Sequence, residues 1–152
     1  MYTHADRSRM IRPRGFSLME LMVTIAILAI ISAIAYPSYA AYVMRANRTD
    51  ATSALIQAAQ GLQRCYSQST TFSYVGCAVP ASSPNGYYNI AETSVFAPSS
   101  TALSTFVLTA TPARSPQTKD TQCASFTINN VGTQAAYNSG GTANTTVCWP
   151  GN

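Results

Sequence analysis

Few residues in this chain carry chemistry, and where they fall limits what they can do. Its 152 residues include nine Lys+Arg, five Asp+Glu, four cysteines and one histidine. The histidine, His4, lies at the leading end; beyond Gly15 the acids are Glu20, Asp50, Glu92 and Asp120, and Lys119 is the lone lysine. No Ser-His-Asp or Cys-His arrangement can be assembled from that set, and paired carboxylates have no local signature. The chain therefore reads as a non-enzyme. Glu20 stands out, because it sits within an apolar run, where an ionisable group is costly and functional by default. Cys65, Cys77, Cys123 and Cys148 all follow that run, at spacings of eleven, forty-five and twenty-four intervening residues. None of these is the close pair that zinc needs, so two disulfides are expected and neither metal nor cofactor.

The element that positions Glu20 is a long apolar helix. Residues 21–44 are twenty-four in a row without a charge. At ~1.5 Å per residue they span ~36 Å, enough for a hydrocarbon core of ~30 Å. Arg7, Arg9, Arg12 and Arg14 precede them against one acid, Asp6, which holds the leading end in the cytoplasm and sends the rest outward. The cysteines then lie in an oxidising compartment. An ordinary secretory signal, cut near Ala33-Ile34-Ala35, is the bland alternative, but its apolar region runs only ~7–15 residues. A plain anchor would leave Glu20 without a partner in lipid.

Gly15-Phe16-Ser17-Leu18-Met19-Glu20-Leu21 resembles the processing site of type IV pilins and pseudopilins: glycine, an aromatic, then an acid four residues on, opening a long apolar helix. The resemblance implies that prepilin peptidase cuts between Gly15 and Phe16 and methylates the new amine. Residues 1–15 would then be a leader, 16–44 a transmembrane and filament-core helix, and 45–152 a periplasmic head. The exported part keeps five basic and four acidic residues, so it is nearly neutral and a general affinity for polyanions does not follow. In a stack of subunits, Glu20 of one can pair with the Phe16 amine of another, relieving a penalty of about 2–3 kcal/mol for a lone acid in lipid.

Past the membrane the helix is expected to continue to about Tyr66. Ala51, Ala54, Leu55, Ala58, Leu62 and Cys65 recur at three- and four-residue steps, with Asp50, Gln57, Gln60, Gln63 and Arg64 off that line. Pro37 removes a hydrogen bond within the helix and introduces a bend; the resemblance implies that the segment before it can lose helicity in filaments. Residues 70–86 are turn-rich, and four strand-like runs follow at 87–91, 104–110, 124–129 and 133–137. The expected fold is α+β: a long helix whose amphipathic half packs on a four-stranded antiparallel sheet. Four cysteines allow three pairings. Pairing as neighbours, Cys65–Cys77 and Cys123–Cys148, would suit this layout, and the second pair resembles the disulfide-bounded C-terminal region of pilins. Asp120-Thr121-Gln122-Cys123, Phe126-Thr127-Ile128, Gly132 and Cys148-Trp149 resemble the PilE group of minor pilins.

The function implied is structural: a minor pilin stored in the bacterial inner membrane and assembled with other pilin subunits into a retractable surface filament. That filament would serve attachment, twitching motility or DNA uptake. A type II secretion pseudopilin is one alternative, sharing the same first fifty residues. A DNA-binding competence pilin is the other. Its candidate contacts are Arg114 and Lys119 on one loop, with Trp149 or Tyr137 to stack on bases. Two cations on a loop are ordinarily just a solvated loop, and no basic stripe is visible. Asp50 near Arg48, and Asp120 beside Lys119, read as surface charges, with Asp120 alternatively bracing the loop before Cys123.

Overall fold

The computed structural model describes residues 15–96 and 105–149. Apart from Gly15, the expected leader lies outside them. Helix α1 runs Leu18–Gln68, 51 residues with Glu20 in the first turn. It is unbroken at Pro37, where Ser38 Oγ donates to the Ile34 carbonyl at 3.4 Å. The chain divides into two compact units at Tyr39/Ala40. In the first, α1 is exposed on every side, and no residue from Leu18 to Tyr39 is buried. A helix without a polar face cannot be stable in this form in water and needs lipid or other helices around it. Among the described residues, α1 is the one helix long and apolar enough to cross a membrane.

The second unit, Ala40–Asn152, holds the head. Strands β1 (Tyr88–Phe96), β2 (Thr105–Pro112), β3 (Ser125–Asn129) and β4 (Gln134–Tyr137) form an antiparallel meander in chain order. A 3-10 turn, Gln117–Lys119, links β2 to β3, and a short helix α2, Thr145–Cys148, follows β4. Period-two burial is clean: Phe106, Leu108 and Ala110 on β2, and Phe126 and Ile128 on β3, point inward while their neighbours stay partly exposed. β1 continues past its expected end because a bulge between Glu92 and Ser94 resets its register against β2. The β3–β4 turn closes on Gly132, whose φ of 83° suits glycine; its N–H donates to the Asn129 carbonyl at 3.0 Å.

Helix α1 covers the sheet with Ala51, Ala54, Leu55, Ala58, Ala59 and Leu62, the face expected from its three- and four-residue periodicity. Tyr74 meets Phe106 edge-on at 4.9 Å, Tyr88 meets Phe126 at 5.6 Å, and Phe126 meets Trp149 at 6.3 Å. The disulfides are Cys65–Cys77 and Cys123–Cys148, with Cα separations of 6.0 and 5.7 Å. Their loops differ by a factor of two in length, so chain-entropy arguments give about 3 and about 3.5 kcal/mol.

Candidate functional site

Candidate functional residues fall in two regions, one in each unit. At the leading end, Gly15–Ser17 precede α1 in extended or irregular backbone, and the first turn begins when Leu21 N–H donates to the Ser17 carbonyl at 3.2 Å. Phe16 is 79% exposed. Glu20 lies in the first turn, where the helix dipole favours an anion. Nothing lies within 4 Å of where a Cβ on Gly15 would be, so the fold itself does not require glycine there.

In the head, the charges expected at the surface are mostly buried. Arg48 is 6% exposed, Asp50 5% and Asp120 5%. Arg48 bypasses Asp50 and clamps Asp120 from 72 residues away, Nε donating to Oδ2 at 2.7 Å and Nη2 to Oδ1 at 2.9 Å. This is the two-pronged geometry that suits a guanidinium and a carboxylate. Asp120 Oδ1 also accepts from the N–H groups of Gln122 and Cys123, each at 3.2 Å. The bracing role expected of Asp120 is what the structure shows, and its surface role is not.

Asp50 is held separately: Ser83 Oγ donates at 2.5 Å, Asn85 N–H at 3.2 Å and Asn85 Nδ2 at 3.1 Å. Its place off the apolar line of the helix predicts exposure; the loop between α1 and β1 folds over it instead. Gln117, fully buried, donates through Nε2 to Tyr88 Oη at 2.7 Å and to the Met44 carbonyl at 3.2 Å. Burial pushes the Tyr88 phenol up to about 12, against the Gln117 hydrogen bond that lowers it. Glu92 shares the face of Tyr88 and Ile90 on β1, and burial raises its carboxyl. Its Oε1 is buried without a hydrogen-bond partner.

The candidate DNA contacts do not come together as a set. Arg114 is exposed, its Nη2 donating to the Asn85 carbonyl at 2.6 Å and its guanidinium lying 5.3 Å from the centre of the Tyr87 ring. Lys119 is exposed at the other end of the 3-10 turn. Trp149 is not available for stacking: it is 3% exposed, and its Nε1 donates to the Ala135 carbonyl at 2.9 Å. An indole beside a disulfide completes the core here, as the buried Cys148 shows. Tyr137, 37% exposed, keeps a free face.

The family model described as "Type IV minor pilin ComP, DNA uptake sequence receptor" matches residues 37–127, more than half of the chain. The chain belongs to this family of type IV minor pilins. A prokaryotic N-terminal methylation motif matches residues 10–36 of the pilin, the stretch that contains Gly15, Phe16 and Glu20. Among solved structures, the pilin is similar to the crystal structure of the Neisseria meningitidis non-core minor pilin PilV. The two share 23% identity over 66% of this chain and 93% of that one, with a TM-score of 0.49. None of the curated proteins matches it. The pilin is a type IV pilus subunit with a hydrophobic helix and a disulfide-tied head.

Sequence reasoning missed Arg45 and Arg48 of this pilin as site residues. Arg48 has no local signal, since its partner is 72 residues away, in the loop before Cys123. Arg45 did have one: it is the first charge after the apolar run.

Proposed function

We propose that this pilin is cut between Gly15 and Phe16, waits in the inner membrane on residues 16–44, and enters a surface filament in which its head captures DNA. Glu20 sets register on assembly by pairing with a neighbour's Phe16 amine, and Pro37 marks a bend in the filament core. A glycine with no packing reason to be there supports the cleavage site. The head is periplasmic before assembly, and attachment or twitching motility are properties of the whole filament.

The observation that carries the DNA reading is the redistribution of charge by folding. The sequence total for the exported part is nearly neutral. Yet Arg48 and Asp120 cancel each other out of water, Asp50 is covered by Ser83 and Asn85, and Glu20 belongs to the apolar helix. The exposed cations of the head are Arg45, Arg64, Arg114 and Lys119, opposed by the partly buried Glu92. That surface is basic in a way the total conceals, and phosphate backbones bind such surfaces. The family description names a DNA uptake sequence receptor, which is the same chemistry. Arg114, pinned by Asn85 and Tyr87, is pre-organised for a phosphate, and Lys119 is the second contact. The test is binding of duplex DNA by the mature pilin as salt is raised, with Arg114→Gln alongside. Retained, salt-insensitive binding in that variant is the opposing result.

A further inference from the structure

Arg45 has no special part in the reading above, and it lines a groove of its own. About 380 Å³ of open space lies among Ala41, Met44, Arg45 and Arg48 on α1 and residues 119–122 on the facing loop. Arg48 is neutralised there by Asp120. Arg45 and Lys119 are exposed, and neither meets a carboxylate among the described residues. The groove therefore holds two uncompensated cations.

Its depth along the chain points to what fills it. Tyr36, Tyr39 and Tyr42 are 76, 68 and 67% exposed and recur at nearly one-turn intervals before Arg45. Tyrosines followed by the first cation are the signature of a membrane–water interface. Gln117 ties the loop to the last residue of the uncharged run through the Met44 carbonyl. Lys119, Thr121 and Gln122 thereby stay beside the turn of α1 that holds Met44 and Arg45.

We propose that this groove seats the phosphate of an anionic phospholipid, of the phosphatidylglycerol type, while the subunit waits in the membrane. The Arg45 guanidinium and the Lys119 ammonium supply the charge, and Thr121 and Gln122 offer polar groups to the glycerol hydroxyls. This rests on residues 16–44 being the membrane segment. The lipid contact lasts until assembly withdraws the subunit from the bilayer.

The test uses the mature full chain in nanodiscs of phosphatidylcholine, with and without about a third phosphatidylglycerol, the fraction chosen to bracket a strongly anionic surface. Amide exchange of segment 117–122 is followed. Several-fold slower exchange with the anionic lipid is expected, lost in Arg45→Gln and restored in Arg45→Lys, with exchange in β2 and β3 unchanged. Equal exchange in both discs overturns the proposal. Equal protection by inorganic phosphate in neutral discs makes the groove a general anion site, and protection by duplex DNA alone reassigns it to nucleic acid; either result overturns the lipid seat. A chain that leaves both discs sinks the membrane reading along with this one.

Discussion

Arg48 Nε lies 2.7 Å from Asp120 Oδ2, joining α1 to the loop before Cys123 across 72 residues of chain. Both side chains are out of water, so each charge depends on the other. Removing one partner strands a buried charge, at a cost of about 3–5 kcal/mol, whereas replacing both by apolar groups is often neutral or better. Arg48→Met and Asp120→Ala should each lower the denaturant midpoint sharply. The double change Arg48→Met/Asp120→Leu should recover most of the loss. Additive losses in the double mutant would show the pair is not coupled.

The Cys123–Cys148 bridge closes the last hairpin and α2 against the core that Trp149 completes. Cys123→Ala/Cys148→Ala should cost about 3.5 kcal/mol, slightly more than the loss of Cys65–Cys77 at about 3 kcal/mol. Thermal unfolding of the two double variants checks the order. The shorter loop should also fail locally, since it ties only the end of α1 to residues 69–79.

Tyr88, which is buried, and Glu92, which is partly buried, set the pH dependence of the head. Tyr88 in the folded chain holds its proton up to about 12, whereas the unfolded phenol loses it near 10. The stability it contributes is therefore complete below about pH 10 and is lost as pH rises toward 12. Tyr88→Phe should flatten that alkaline fall, at a cost of about 1 kcal/mol for the Gln117 hydrogen bond. Glu92 is also raised by burial, so its contribution is present below the ordinary carboxylate range and fades as pH climbs through it. Glu92→Gln should stabilise the head at neutral pH and leave it unchanged at pH near 4. Unfolding curves across pH would read both slopes.

How legible these features were in the sequence depended on range. The period-two alternation around Phe106 and Leu108, and the three- and four-residue steps of Ala51, Leu55 and Leu62, are local signals that fix which face is buried. The helix, the four strands and their antiparallel order follow from them. The type IV pilin resemblance at Gly15, Phe16 and Glu20 is equally local. Arg48 and Asp120 carried no such signal, because each had a nearer opposite charge, Asp50 and Lys119, which neither chose. By sequence, Trp149 reads as a tail residue available to stack on bases. Its burial depends on β3 and β4 presenting Phe126 and Ala135 to it, which only the folded sheet provides.

Glu20→Ala should still be inserted and trimmed to Phe16, yet be missing from sheared filaments, because its loss removes the register contact and not the apolar helix. Immunoblots of membrane and filament fractions would check this, with mass spectrometry of the first residue. A protein that begins at Met1, or beyond Ala35, would contradict the processing account. So would normal amounts of the variant in filaments.

DNA binding by the mature pilin as a function of salt tests the central claim most directly. Each phosphate neutralised contributes about −0.9 to the slope of log K against log salt. The account predicts a clear negative slope that becomes shallower by roughly 2 in Arg114→Gln/Lys119→Gln. A slope near zero, or one that this double variant leaves unchanged, would contradict it.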